Sequence, residues 1–350
     1  MNSQWQQFLE QQGAVFFEGL TGAEISSFGS DAEPASLENG FTALTQKGVI
    51  AISGPDAKKF LQGQVTCNLD DISEQRSLLG ALCSYQGKTI CNFRIIEAND
   101  TCYMVLHSSL TATVMSYLKK YIAFSKAEMS DVSAHFAHIG CWGNALENTI
   151  ASQLDIPNMQ GNDTCQSILG VAVRMTDVAP RHSFLCTVEQ AETLWGLLSA
   201  DSCAAHSQRW KLLDIRAGIP EISSVTTEQF IPQMLNLDLI EAVSFKKGCY
   251  TGQEIIARSH YLGKQKRRLF RFQAPQQATL AAGTNLFCEG KTQAAGTVVD
   301  IAANSDGNWE ILAVLKAQEK VQNQEITVLS SLQNAEKLSL LSLPYAIPIG

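Results

Sequence analysis

The residue types best suited to chemistry gather in residues 246 to 263, which read Lys-Lys-Gly-Cys-Tyr-Thr-Gly-Gln-Glu-Ile-Ile-Ala-Arg-Ser-His-Tyr-Leu-Gly. Thr251 and Glu254 have the spacing of a capping box, in which the hydroxyl meets the N3 amide and the carboxylate reaches back to the cap amide. This predicts a helix from Gly252, with Ile255, Ile256 and Ala257 on its buried side and Gly263 as a left-handed stop. Cys249 then lies just ahead of a helix N-terminus, beside Lys246 and Lys247. Unsatisfied amides and nearby cations both favour a thiolate, so Cys249 is the candidate functional thiol. Gly248 and Gly252 leave the backbone bare for a close approach or a tight bend. The plainer alternative is a cysteine packed in a glycine-containing turn.

Charge sharpens the same segment. From Lys246 to Arg271 eight basic residues (Lys246, Lys247, Arg258, Lys264, Lys266, Arg267, Arg268, Arg271) stand against one acid, Glu254. The chain as a whole has a net charge of −8, so this local +7 leaves −15 elsewhere. An overall acidic protein does not grip nucleic acid with its whole surface, but a segregated basic face suits a carboxylate-rich ligand or a phosphate backbone. A solvated connection between domains is the competing reading.

The elements that must position this segment follow from length and pattern. The 350 residues, 45% of them hydrophobic, predict two or three domains with real cores. Residues 1–40 read as an N-terminal arm. Gly48–Ser53 reads as a strand, and Ser53-Gly54-Pro55 starts a helix that stops at Gly63. Leu78–Ser84, Thr89–Glu97 and Cys102–His107 form a meander across turns at Gln86-Gly87 and Asn99-Asp100. Ser108 or Ser109 caps a helix with Leu110, Val114, Tyr117, Leu118 and Tyr121 at helical spacing. A second α/β set occupies residues 135–198, and short strands from Arg267 to Leu341 predict a small β-barrel.

The ten cysteines (67, 83, 91, 102, 141, 165, 186, 203, 249, 288) contain no Cys-x-x-Cys, so structural zinc is not expected and most should be buried small hydrophobes. The first basic side chain is Lys47. An N-terminus without Lys or Arg fits neither a secretory signal nor a transit peptide, and no run is apolar enough to span a bilayer, so a cytoplasmic protein is expected. His135-x-x-His138-x-x-Cys141 has metal-like spacing, but on a strand positions three apart face opposite ways. Arg94 reads as an ordinary surface residue. Trp210, on a predicted helix from Gln208 to Ala217, reads as a core residue beside Leu212, Leu213 and Ile215. Neither a Gly-rich phosphate loop nor a hydrolase triad is marked.

The segment Lys247-Gly248-Cys249-Tyr250-Thr251-Gly252-Gln253-Glu254 resembles the signature of the YgfZ family, folate-binding proteins similar in fold to the aminomethyltransferase (T-protein) of the glycine cleavage system. Further blocks in family order are Phe60-Leu-Gln-Gly-Gln-Val-Thr66, Leu118-Lys-Lys-Tyr121, Phe124-Ser-Lys126, Ala217-Gly-Ile-Pro220 and Gln229-Phe-Ile-Pro-Gln233 with Asn236-Leu237. The resemblance implies an α+β, GcvT-like arrangement: a first α/β folate-binding domain at 41–130, a second α/β domain at 131–265 carrying the signature, and a C-terminal β-barrel at 266–350, around a central opening that accepts a tetrahydrofolate. It associates Trp210 with folate, and it places Lys47 where a second aromatic is usual. It further implies an accessory role in iron–sulfur cluster assembly or repair and, through an iron–sulfur tRNA methylthiotransferase, in tRNA modification, with direct tRNA contact by the basic segment as a weaker expectation. The alternative is a folate-dependent one-carbon transferase, which needs a carboxylate at the folate nitrogen; no residue here identifies itself as that group.

Overall fold

The computed structural model describes residues 1–19, 22–28, 38–176, 179–261, 265–316, 321–323, 327–331 and 335–348. In chain order it opens with α1 (Ser3–Gln11), β1 (Val15–Gly19), β2 (Gly22–Ser27), β3 (Gly40–Ala43), β4 (Lys47–Ser53) and α2 (Ala57–Gln62). Strands β5 (Leu78–Cys83), β6 (Thr89–Ala98) and β7 (Thr101–His107) form the expected meander, followed by α3 (Thr111–Ile122) and β8 (Glu128–Asp131). The second α/β set comprises β9 (Ala137–Trp142), α4 (Asn144–Gln153), β10 (Thr164–Ser167), β11 (Gly170–Arg174), β12 (Arg181–Cys186) and α5 (Val188–Ser199). Then come α6 (Ser207–Arg216) and α7 (Gln253–Tyr261). Last are β13 (Arg267–Ala274), β14 (Asn285–Cys288), β15 (Ala294–Ala303), β16 (Trp309–Lys316), β17 (Val328–Leu329) and β18 (Lys337–Leu341).

Two five-stranded sheets run β5-β6-β7-β4-β8 and β10-β11-β12-β9-β3, and the last six strands close into a barrel, β13-β16-β15-β14-β17-β18. The mixed helix-and-sheet class with a C-terminal barrel is thus as expected. The chain divides into two compact units, one of Met1–Gln62, Asn68–Leu79 and Phe93–Trp210, the other of Gly63–Cys67, Gly80–Asn92 and Lys211–Gly350.

In the first unit, residues Ser3–Gln11 of the expected N-terminal arm form a packed helix. Asn2 caps α1 by accepting the Gln4 and Trp5 amides. The helix then buries Trp5 and Leu9 against Phe41, Leu194 and Trp195 in the core under the second sheet. The Trp5 and Trp195 rings meet edge to face at 5.9 Å, an aromatic geometry that stabilises by about 1 kcal/mol beyond area burial. Weak periodicity concealed this helix because nine residues need only two buried positions. β3 pairs with β9, so it joins the second sheet and not the meander. The start of α3 is also displaced: the His107 ring accepts the Ser109 amide, residues Ser108–Leu110 form a 3-10 turn, and the α-helix begins at Thr111 in place of the predicted serine cap.

The barrel core holds Leu286 of β14 together with Phe270, Phe272, Ile311, Ala313 and Leu315, the alternate residues of β13 and β16 that period-two patterning sends to one face.

Candidate functional site

The second unit contains a site built from three separate stretches of sequence. Residues 63–67 act as a rail for residues 242–251. The Thr66 hydroxyl donates to Ala242 O at 2.6 Å and accepts the Ala81 amide at 2.8 Å. The Ser244 amide donates to Thr66 O at 2.9 Å, and the Thr251 amide to Gly63 O at 3.2 Å. Lys247 Nζ donates to Val65 O at 2.8 Å and Cys67 O at 2.7 Å and lies 5.2 Å from the Tyr250 ring centre. Cys249 therefore hangs between two anchors, Lys247 and Thr251, and is exposed.

This geometry changes what Lys247 does. In sequence it reads as a charge that favours a thiolate two residues away; in the fold its ammonium is committed to two carbonyls and an aromatic face. Hydrogen bonds from a charged donor contribute about 1.5–3 kcal/mol, so Lys247 is a clamp on the loop.

The capping box does not form as expected. The Thr251 hydroxyl donates to Gln64 Oε1 at 3.3 Å, and Gln253 Oε1 accepts the Tyr250 amide at 3.3 Å. Gly252 has φ +83 and stands outside the helix, which starts at Gln253. A Cβ on Gly252 would lie 2.5 Å from Ser84 O, and one on Gly87 would lie 2.9 Å from Ile255 Cβ. Two glycines with positive φ thus let the loop and the β5–β6 turn approach closely. Gly248 differs, since nothing stands within 4 Å of its missing Cβ, and the backbone beside Cys249 is open. Of the predicted buried side of α7, Ile256 is fully buried while Ile255 is 40% exposed. Glu254 is exposed. Gly263 and Lys264 lie outside the described residues.

The block at 229–237 brackets the other side of α7. Gln233 Nε2 donates to Ile256 O at 2.7 Å, and Asn236 Nδ2 donates to Leu269 O at 2.9 Å. Arg268 donates to Gln233 O at 2.8 Å and pairs with both oxygens of Asp238 at 2.6 and 3.0 Å. In the sequence Arg268 and Arg271 count toward a basic face. They are structural: Arg271 pairs with Glu310 at 2.7 Å, beside Arg216 at 2.6 Å. Lys246, Arg258 and Lys266 remain exposed.

Cysteine environments separate clearly. Six of the ten are buried, and only Cys203 and Cys249 are exposed. Burial pushes the Cys91 and Cys141 thiols up to about 12 and that of Cys102 to about 11, where they stay protonated. Burial, with Cys83 close by, also pushes the Tyr250 hydroxyl well up, so Tyr250 is a packing residue under the loop.

Residues expected elsewhere fall as follows. Trp210, in the first unit, is 2% exposed. The Arg181 guanidinium covers its ring at 4.7 Å, Trp142 lies at 6.5 Å, and a Cβ on Gly140 would strike it at 2.4 Å. Lys47 opens β4 and is partly buried. The Trp210 ring is thus enclosed by Arg181, Trp142 and the backbone at Gly140. Arg94 is not a surface residue: 7% exposed, it donates to Ser77 Oγ at 2.8 Å and Asn162 Oδ1 at 2.9 Å. His135 sits in a turn ahead of β9, and no cluster of metal-ligating side chains occurs among the described residues. No helix among them is long and apolar enough to cross a membrane.

Sequence reasoning missed the rail at 63–67, where Gly63 reads as a helix stop and residues 60–66 stand only as a family block. The available signal was Val65-Thr66, β-forming residues directly after Gly63. It also missed Asp238 and Glu310 as partners of the basic run.

Residues 6–164 match the family model described as the GCVT N-terminal domain. Among solved structures, the glycine cleavage system aminomethyltransferase T from Bartonella henselae is similar with a TM-score of 0.78 and 16% identity, covering 97% of this chain and 96% of that one. The heterotetrameric sarcosine oxidase from Corynebacterium sp. U-96 is similar over 57% of this chain and 94% of that chain, at 9% identity and a TM-score of 0.37, too low to carry an argument. The chain has a GcvT-like fold, with α/β portions and a closed six-stranded barrel toward its C-terminus.

Proposed function

We propose that this chain is a folate-binding accessory protein of the YgfZ family that supports assembly or repair of iron–sulfur clusters, and thereby tRNA methylthiolation, with Cys249 as its working thiol. The observation that carries this reading is the exposed Cys249 held between the Lys247 and Thr251 anchors, where the 60–66 and 247–254 blocks meet. A residue needed only for packing would sit like Cys83 or Cys91, buried and protonated. An exposed sulfur beside an open glycine can instead meet a cluster, a sulfur donor or a client enzyme. The GCVT N-terminal domain match supports folate as ligand. The contact assigned to Trp210 and Lys47 rests on the resemblance and requires the ring to be uncovered when folate binds.

The test is complementation. In a strain lacking the protein, Cys249→Ala should fail to restore iron–sulfur enzyme activity and tRNA methylthiolation while unfolding at the same denaturant concentration as the parent. Full restoration would remove the role given to Cys249. Equilibrium dialysis with tetrahydrofolate tests the ligand, and Trp210→Phe should bind more weakly than the parent.

The transferase reading draws on the likeness to an aminomethyltransferase. Incubation with an aminomethyl donor and tetrahydrofolate decides it, since methylenetetrahydrofolate formed at an enzyme-like rate, unaffected by Cys249→Ala, would favour transfer over the accessory role.

A further inference from the structure

The aromatic residues at the C-terminal end of α7 meet Phe245 of the 242–251 segment. Phe245 and His260 stack with ring centres 3.7 Å apart and planes 14° from parallel. Tyr261 meets both edge-on, 6.3 Å from Phe245 and 4.8 Å from His260. His260 is exposed, and Tyr261 is 66% exposed. Phe245 thus covers one face of the imidazole while the ring stays open to solvent, leaving an aromatic column uncovered at one end. Large aromatic side chains normally gain stability by leaving water, so an ordered set kept at the surface is a binding feature in search of a flat partner.

Its surroundings are cationic. Lys246 directly follows Phe245. Arg258 lies one helical turn before Tyr261, on the same face of α7. Lys266 follows shortly after, and all three are exposed. Unlike Arg268 and Arg271, which are paired with buried acids, these cations are available to a ligand.

Open π-faces flanked by available cations match single-stranded nucleic acid, in which each base offers a face for stacking and each linkage a phosphate. We infer that Phe245, His260 and Tyr261, with Lys246, Arg258 and Lys266, form a binding surface for single-stranded nucleic acid, in which one unstacked base lies on the His260 ring or a neighbouring base on the Tyr261 ring, and the flanking phosphates meet the three cations. A duplex keeps its bases stacked on one another and offers this surface its phosphates alone. The inference does not rest on the role proposed for Cys249 or on folate binding, and its test is read separately from theirs.

The experiment is fluorescence anisotropy of the full-length protein with a labelled single-stranded oligoribonucleotide of mixed sequence, and with the blunt duplex of the same sequence, across a salt series. The single strand should bind more tightly than the duplex, and affinity should fall steeply with salt. His260→Ala and Tyr261→Ala should each weaken single-strand binding about tenfold, the size of one lost base stack. His260→Phe and Tyr261→Phe should stay within about twofold of the parent. Replacing Lys246, Arg258 and Lys266 together by Gln should flatten the salt dependence. Absence of binding at low salt, equal affinity for the duplex, or a loss in the Phe variants as large as in the Ala variants would each overturn the proposal. These are surface substitutions, and circular dichroism confirms that each variant is folded.

Discussion

Two regions of the second unit use positive charge in opposite ways. At the thiol loop and the end of α7, Lys246, Arg258 and Lys266 face solvent. Against the barrel, Lys211 reaches Asp300 at 2.9 Å, Arg216 and Arg271 share Glu310, and Arg268 grips Asp238. The two barrel carboxylates differ again. Burial pushes Asp300 up to about 6 despite the single Lys211 ammonium, with Glu221 adding to the rise. Burial would raise Glu310 too, but hydrogen bonds from Arg216 and the charge of Arg271 hold it below its ordinary value. One ammonium does not offset full desolvation of a carboxylate, whereas two guanidinium groups do.

Breaking a paired cation should have the largest effect. Asp238→Ala leaves Arg268 buried without its carboxylate and should destabilise by about 3–5 kcal/mol in urea unfolding, whereas Asp238→Leu with Arg268→Met should recover most of the loss. Lys247→Met comes next, at about 1.5–3 kcal/mol, because two carbonyls lose a charged donor; limited proteolysis should then cut within residues 244–252 faster than in the parent.

The carboxylates predict opposite pH dependences. Asp300 has a raised folded pKa, so its contribution is fully present below its ordinary 3.8 and is lost as pH rises through about 6. Asp300→Asn should remove that part of the stability profile. Glu310 has a lowered folded pKa, so its contribution is present above the ordinary glutamate range and is lost as pH falls through the folded value; Glu310→Gln should flatten the acid limb. Smallest of all, Lys246→Ala or Arg258→Ala should change stability by no more than about 0.5 kcal/mol. A larger change would mean that these cations are structural and that the contrast between the two regions fails.

Much of this architecture was legible from local pattern. The meander around Asn99-Asp100, where both residues adopt positive φ, follows from turn chemistry. The barrel follows from short alternating strands, and the burial of most cysteines from their apolar character. Cys249 could be singled out because glycines and lysines flank it. The capping box was a reasonable reading of Thr251 and Glu254, but Gln64, 187 positions away, took the hydroxyl, and close packing against Ser84 set Gly252 in a conformation no α-helix uses. Arg94 looked like any arginine on a strand until Ser77 and Asn162 enclosed it.

The sequence alone determined where strands, turns and most helices lie, and which cysteine stands among glycines and cations, because these depend on neighbours within a few residues. Tertiary structure decided which cations are paired and which are open, that Lys247 clamps a rail 180 or more positions away, and that an aromatic column remains at the end of α7. Burial and pairing are set by residues distant in the chain, and desolvation acts only once those residues meet.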